Sequence, residues 1–214
     1  LFIIPISIWM LLFRAQIVRF IYGHGEIGWE QTILLFNALG VFTLALFSQS
    51  LVPLFARAFY ARQNTKTPVI IGLISMAINA VASYTLSINY GVVGIVAGFA
   101  IASFVNCALL FLILRFQLHK KLPTANMHAM DLYLLKDITK IVSAALLSGV
   151  ISYGYLYLIE PFINTRTTLG IFIQVSFAGT AGLLAYTMIL YWLNNYYVRN
   201  FIENISIKLR SNRS

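Results

Sequence analysis

Residues 57–68 read Arg-Ala-Phe-Tyr-Ala-Arg-Gln-Asn-Thr-Lys-Thr-Pro, a basic segment between two long apolar runs. The segment holds three cations in a 214-residue chain of which only 10% is charged. A short, cation-rich connection that ends in proline is typical of a cytoplasmic loop between two membrane helices, because positive charge stays inside and proline interrupts a helix. This stretch therefore predicts a chain of membrane-crossing helices.

Composition indicates the same fold class. Hydrophobic residues make up 60% of the chain, and its mean hydropathy is +0.83. A soluble domain carries roughly 25% charged residues, so this chain has too few polar side chains to cover a surface in water. No segment alternates with a period of two, as a lipid-facing barrel strand would. We predict an all-α integral membrane protein.

Six apolar runs are long enough to cross a bilayer, which takes about 20 residues of helix. The predicted spans are 2–22, 33–59, 69–87, 92–115, 138–159 and 169–193. Spans three and four are joined by the short turn Asn89–Gly91, and Gly94 and Gly98 follow at small-xxx-small spacing. Small residues one turn apart let two helices approach closely. These two spans are therefore predicted to form a tight antiparallel hairpin.

The cations predict the orientation of the spans. Positive residues favour the cytoplasmic side of a membrane. Twelve of the fifteen lie after spans two, four and six: Arg57, Arg62, Lys66, Arg115, Lys120, Lys121, Lys136, Lys140, Arg199, Lys208, Arg210 and Arg213. The C-terminus is thus predicted to be cytoplasmic. Because the cations sit at the ends of apolar runs, their expected partner is anionic membrane lipid and not nucleic acid.

Two segments fall outside the spans. Residues 117–137 are predicted to form a cytoplasmic amphipathic linker with an interfacial helix at Met127–Lys136, and residues 196–214 a basic tail with another at Asn200–Arg210. The chain starts at Leu1 within an apolar run and without a charged leader. We therefore expect it to be the C-terminal part of a longer protein.

Span two carries a group of polar residues, which in hydrocarbon need a partner or a water-filled cavity. The group includes Gln49 and is followed by Pro53, which is expected to bend the helix by removing a backbone hydrogen bond. Two interpretations are open: a polar transport cavity, or hydrogen bonds that hold neighbouring helices together.

The sequence contains no recognisable catalytic or metal-binding motif. No Asp or Glu lies deep in a span, and there is no Ser-His-Asp arrangement, phosphate-binding loop or Cys/His metal set. Cys107 lies in an apolar run and is interpreted as a packing residue. We therefore predict no catalytic residue, no metal and no cofactor, and a protein that is not an enzyme.

Three stretches resemble one transporter family. Residues 56–69, Ala-Arg-Ala-Phe-Tyr-Ala-Arg-Gln-Asn-Thr-Lys-Thr-Pro-Val, resemble the "aRaFYAxxDTkTPv" connection of the MurJ/MviN lipid II flippases. Residues 17–25, Ile-Val-Arg-Phe-Ile-Tyr-Gly-His-Gly, are similar to the family's "IVRLLFxxG" helix end. Residues 91–97 with Asn106 resemble its "GxxGlalA…N" helix, and all three keep the family's order over residues 1–116.

The resemblance implies a fold and a function. The chain would supply the last six of the family's fourteen helices: residues 1–116 in the second six-helix lobe and residues 138–195 as two additional helices. The whole protein would move lipid II, an undecaprenyl-linked peptidoglycan precursor, from the inner to the outer leaflet of the bacterial plasma membrane by alternating access. Its partners would be lipid II, membrane lipids and the N-terminal helices of the same protein, which carry most of the arginine-rich central cavity.

The resemblance and the charges together suggest substrate-binding residues. Arg57, Arg62 and Lys66 would lie at the cytoplasmic mouth, where cations attract an anionic headgroup, and Gln49 would lie in the polar span above them. A role of the three cations in topology alone remains open.

The chain also departs from the family pattern. Asn64 replaces the usual Asp but can still make a turn hydrogen bond. Ala15-Gln16 stand where Glu-Pro is frequent. Asn79 and Ser83 would correspond to a cation site of some members, which here lacks a carboxylate and is therefore degenerate.

Other functions stay open on the sequence alone. One is another exporter of the same superfamily, which handles polysaccharide-lipid or drugs. Another is a membrane-embedded transferase for lipid-linked sugars, although no metal-binding acid or histidine motif supports it. A third is a non-catalytic scaffold in cell-wall synthesis.

Overall fold

The structure, a computed structural model, describes residues 3–22, 28–119, 124–162 and 167–193. Within these ranges the regular elements are helices, and no strand occurs, so the all-α prediction is confirmed. The helices are α1 (Ile3–Leu12), α2 (Arg14–Tyr22), α3 (Trp29–Tyr60), α4 (Lys66–His119), α5 (Thr124–Ile159) and α6 (Thr168–Trp192), with a 3₁₀ turn at Glu160–Phe162.

These helices provide six membrane crossings. Helices α3, α4, α5 and α6 contain stretches long and apolar enough to span a bilayer, and α1 and α2 together are long and apolar enough for one further crossing, with a bend of 68° between them. Helix α4 has 54 residues, which would extend about 80 Å if straight, more than twice the ~30 Å hydrocarbon core. Its backbone leaves helical geometry at Gly91 (φ 57°, ψ −132°), where the chain reverses. α4 is therefore two crossings, and the six-span prediction is confirmed.

The two arms of α4, residues 66–90 and 92–119, pack as the predicted antiparallel hairpin. A Cβ atom added at Gly94 would strike the Leu86 carbonyl, and one added at Gly98 would strike the Ser83 backbone. The Ser83 hydroxyl also reaches across to the Ile95 carbonyl oxygen at 3.1 Å. The glycines are thus required by close backbone approach, as their spacing predicted.

Contacts divide the chain into two compact units. The first unit, Met10–Ala129, contains α2, α3 and the α4 hairpin. α3 runs in the same direction as the second arm of α4, and aromatic pairs mark the seam between them: Phe42 stacks on Phe99 and Phe55 packs against Phe111, with ring centroids 5.8 and 5.7 Å apart. The arrangement aligns the two helices in register along much of their length.

The second unit joins Leu1–Trp9 to Met130–Ser214, of which α5, α6 and the start of α1 are described. Small buried residues on α5, including Ala144 and Ala145, let Tyr186 of α6 pack closely, and the Trp9 ring meets Tyr186 edge to face at 6.4 Å. Gln174 donates a hydrogen bond to the Leu156 carbonyl at 3.0 Å. This bond fastens α6 to α5 inside an apolar core.

Some boundaries differ from the predicted ones. The first span is interrupted at Phe13, which separates α1 from α2. The predicted linker helix at Met127–Lys136 and the fifth span form one continuous helix, α5, because no proline or glycine intervenes to stop it. α3 continues through Pro53. The predicted tail helix at Asn200–Arg210 and all of residues 196–214 lie outside the described residues, as does the loop around His24.

Candidate functional site

The basic connection, residues 57–68, lies between α3 and α4 and carries three of the four predicted substrate-binding residues. Arg57 is exposed in the last turn of α3, and Lys66 is exposed as the first residue of α4. Arg62 is half-buried in the turn between them. The connection is short enough that the chain itself keeps all three cations at the same end of the first unit.

A helix-ending motif gives this connection a fixed shape. The Gln63 and Asn64 amides donate to the carbonyls of Tyr60 and Phe59, at 2.9 and 3.0 Å. Gln63 takes up a left-handed conformation, with φ of 57°. This is the Schellman arrangement, in which one left-handed residue lets the chain turn back onto the helix end.

Asn64 then starts the next helix. The Thr67 amide donates to Asn64 Oδ1 at 3.2 Å, and the Asn64 side-chain amide nitrogen donates to Thr67 Oγ1 at 2.9 Å. An acceptor three residues before an otherwise free amide is the usual way to cap a helix N-terminus. The predicted turn hydrogen bond of Asn64 is confirmed, so the replacement of Asp by Asn keeps the geometry and loses only the charge.

An apolar cluster anchors the connection from below. Phe59, the last buried residue of α3, is 0% exposed and packs with Ile71 and Leu110 from the two arms of α4. The end of α3 and both arms of α4 therefore meet next to the basic connection. The turn is held at both ends, which keeps the spacing of the cations fixed.

Arg62 differs from the other two cations. One of its terminal nitrogens, Nη1, is buried and makes no hydrogen bond with any described protein atom. A buried donor without an acceptor is costly, and a charged one more so. None of the three cations forms an ion pair within the described ranges.

Gln49 lies on α3, more than two turns before Arg57. Its Nε2 donates to the Ser103 hydroxyl on the second arm of α4 at 2.8 Å, and Ser103 in turn donates to the Phe99 carbonyl at 2.7 Å. Gln49 remains solvent-accessible overall. Its amide nitrogen thus forms an interhelical hydrogen bond between α3 and α4, which is one of the two roles that the sequence left open.

Asn79 and Ser83, the candidate degenerate cation site, lie next to each other in the first arm of α4. The Ser83 hydroxyl lies 2.9 Å from Asn79 Oδ1 and 3.1 Å from the Ile95 carbonyl oxygen. Three oxygens converge, but none carries a formal charge, and the serine proton can itself bridge them. Elsewhere in the described part of the chain, no group of three or more His, Cys, Asp or Glu residues could hold a metal ion.

One polar arrangement in the first unit was not predicted from the sequence. The Arg14 guanidinium of α2 lies over the Phe36 ring of α3, with its carbon 3.8 Å from the ring centroid. One of its nitrogens lies where a Cβ atom at Gly40 would be, so the glycine makes room for it. Arg14 and a glycine one helix away were visible in the sequence, but no local pattern pairs them.

These features define a class of protein. The chain is a multi-pass α-helical membrane protein with a rigid basic connection at one end, polar contacts between crossings, and no metal-binding cluster among the described residues.

Comparison with known proteins identifies the family. The family model "Lipid II flippase MurJ" matches residues 1–173. The chain belongs to the MurJ lipid II flippase family. The resemblance noted in the basic connection is thereby confirmed.

Curated relatives agree. A probable lipid II flippase MurJ of Rhizobium meliloti is 29% identical over 150 residues, covering 70% of this chain and 26% of the relative. One of Rhizobium tropici is 30% identical over 183 residues, covering 85% of this chain and 32% of the relative. The chain therefore spans about a quarter to a third of the length of these relatives.

A solved structure shares the fold. The chain is similar to "Lipid II flippase MurJ, inward closed conformation", with a TM-score of 0.63 and 22% sequence identity. The match covers 94% of this chain and 37% of the solved chain. Nearly all of this chain thus follows the backbone of a flippase, over part of that protein.

Proposed function

We propose that this chain is part of a flippase that moves lipid II from the inner to the outer leaflet of the bacterial plasma membrane by alternating access. The observation that carries the proposal is the family match over residues 1–173, in a chain with six membrane crossings. The relatives are named as lipid II flippases. No covalent chemistry is required, so the proposed protein is a transporter and not an enzyme.

The resemblance also assigns each segment of the chain to a part of the flippase fold. Residues 1–116 would form four helices of the second six-helix lobe, and residues 138–195 the two additional helices. Residues 117–137 would connect them on the cytoplasmic side, and residues 196–214 would form a basic cytoplasmic tail. The remaining helices, including most of the central cavity, would come from the rest of the same protein.

The basic connection would attract the pyrophosphate headgroup of the substrate to the cytoplasmic mouth. Arg57 and Lys66 are exposed, and Arg62 lies half-buried between them. A phosphate oxygen would accept charge-assisted hydrogen bonds from the exposed ends of Arg57 and Lys66. Gln49, held by Ser103, would offer its free side-chain oxygen to the sugar or peptide part of the headgroup.

Asn79 and Ser83 would have a structural role in place of cation binding. The serine hydroxyl already bridges Asn79 Oδ1 and the Ile95 carbonyl, and no carboxylate is available to offset the dehydration of a sodium ion. We propose that transport does not use a sodium ion at this position.

The proposal is tested in a bacterium depleted of its own flippase. The full-length protein that contains this chain is expressed, and lipid II exposed on the outer leaflet is measured by cleavage or labelling from outside. We expect survival and restored outer-leaflet lipid II. Membrane expression without either result would refute the proposed function.

A triple variant tests the role of the basic connection. Replacing Arg57, Arg62 and Lys66 with Gln should lower the initial rate of outer-leaflet appearance by about tenfold or more, as expected for the loss of several charge-assisted contacts. Topology reporters at both ends of the basic connection serve as the control. If the variant is inverted in the membrane, the three cations act in insertion and the assigned transport role is wrong.

A further inference from the structure

Arg14 places a permanent positive charge inside the hydrocarbon region. It lies eight residues before Tyr22, the last described residue of its crossing, or about 12 Å along a helix. Its guanidinium lies beside Gly40, seven residues after residue 33, where the second span is predicted to begin, or about 10 Å along that helix. Both estimates put the charge within about 5 Å of the middle of a ~30 Å core.

The position of the guanidinium is built by its neighbours. Gly40 is buried and leaves the space that a side chain would fill, and the Phe36 ring supports the planar group from one side at 3.8 Å. The Arg14 side chain contacts Gly40, which lies farther along α3 than Phe36. The guanidinium therefore points away from the N-terminal end of α3. A cation–π contact stabilises the group but leaves its N–H donors without acceptors.

The charge has no counter-ion in the described ranges. Arg14 makes no ion pair or side-chain hydrogen bond there, and it is only half-buried. Charged side chains at this depth are costly unless they face a partner or a hydrated path, and they commonly mark substrate routes. The exposed side of the guanidinium is therefore suited to bind an oxyanion.

An apolar groove begins next to the same residues. It lies between α2 and α3, has a volume of about 220 Å³, and is lined by Ala15, Val18, Arg19, Trp29, Thr32, Ile33 and Phe36. The Phe36 ring thus belongs both to the Arg14 contact and to the groove. A cation with five donors at one end of an apolar groove complements a phosphate attached to a hydrocarbon chain.

We propose that Arg14 binds a phosphate oxygen of the lipid substrate near the bilayer centre, with the adjoining apolar chain in the groove between α2 and α3. The inference rests on the proposed transport of a phosphate-bearing lipid, which it deepens by naming an intermediate binding position. The headgroup attracted by the basic connection would reach Arg14 after it leaves the cytoplasmic mouth. Gly40 and Phe36 are positioning residues for this contact.

Binding is measured on the full-length protein in nanodiscs of zwitterionic phosphatidylcholine. The probes are a polyisoprenyl pyrophosphate and the neutral polyisoprenol of equal chain length. Arg14→Gln should weaken pyrophosphate binding by at least about tenfold and change polyisoprenol binding by less than about twofold, because only the charge-assisted contact is lost. Lys136→Gln, which removes an exposed cation of α5 outside the groove, should leave both affinities within about twofold.

Three outcomes would overturn the proposal. Unchanged pyrophosphate affinity in Arg14→Gln would show that the charge does not contact the ligand. An equal loss of polyisoprenol binding would show that Arg14 supports the fold or pairs with a carboxylate of another segment. Competition by anionic phosphatidylglycerol at the affinity of the pyrophosphate lipid would assign the position to ordinary membrane lipid.

A second variant covers the case in which Arg14→Gln fails to fold. Gly40→Ala keeps the cation but places a methyl group where the guanidinium lies, so pyrophosphate binding should fall while polyisoprenol binding persists. Leaflet translocation by the wild-type protein is measured in parallel. Arg14-dependent binding without translocation would refute the proposed flippase function and leave the binding site in place, whereas translocation without Arg14-dependent binding would refute the site alone.

Discussion

Gly98 is a position at which a single added methyl group should destabilise the α4 hairpin. A Cβ atom there would lie 2.6 Å from Ser83 Cα and still closer to the Ser83 amide nitrogen, both of which are backbone atoms. Relief to an ordinary contact of 3.4 Å would separate the arms by roughly 0.8 Å. That shift would stretch the 3.1 Å bond from Ser83 to the Ile95 carbonyl beyond a useful length. Overpacking and the lost bond together should cost about 2–4 kcal/mol.

Thermal unfolding in mild detergent measures this effect, and the chain supplies a matched control. Gly98→Ala should lower the unfolding temperature by about 5–15 °C. Gly72→Ala, in the first arm of the same helix, adds a methyl group with no described atom within 4 Å and should raise stability by up to about 1 kcal/mol through helix propensity. Equal stabilities of the two variants would refute the close approach of the arms at Gly98.

Two further predictions concern the turn and the second unit. Gln63→Gly should stabilise the protein by about 0.5–1 kcal/mol, because glycine adopts the left-handed backbone of the Schellman turn without steric cost. Gln63→Val should destabilise the protein, because a β-branched residue is strained in that conformation. A higher unfolding temperature for the valine variant than for the glycine variant would contradict this prediction. Gln174→Leu should destabilise the protein by about 1–2 kcal/mol, because the bond to the Leu156 carbonyl is lost inside a buried contact. Ser176→Ala, an exposed change on the same helix, is its control, and equal unfolding temperatures of the two variants would refute a stabilising role of the bond.

The features predicted well from the sequence are those set by one stretch of chain. Hydropathy alone locates the crossings, since the cost of unpaired backbone groups in lipid forces each apolar run into a helix. Gly94 and Gly98 revealed the hairpin because the turn at Gly91 is so short that the arms can meet only each other. Asn64 was predicted correctly because a capping bond spans three residues.

The features missed depend on distant residues that happen to meet. Nothing near Arg14 in the sequence indicates that its guanidinium would lie against Gly40 and Phe36, more than twenty residues away. The burial of Arg62 Nη1 depends likewise on how the turn folds back over the core. The interruption at Phe13 carries no proline or glycine signal. The substrate roles of the basic connection remain predictions.

The reversal at Gly91 has a consequence for biosynthesis. The first arm of α4 carries Asn79 and Ser83, and the acceptor at Ile95 becomes available to Ser83 only when the second arm lies alongside. We therefore expect the inserting machinery to release the two arms into lipid together, as a preassembled pair, and not one after the other. A ribosome stalled soon after Gly91 should consequently hold the first arm in the translocation channel until the second arm has been made.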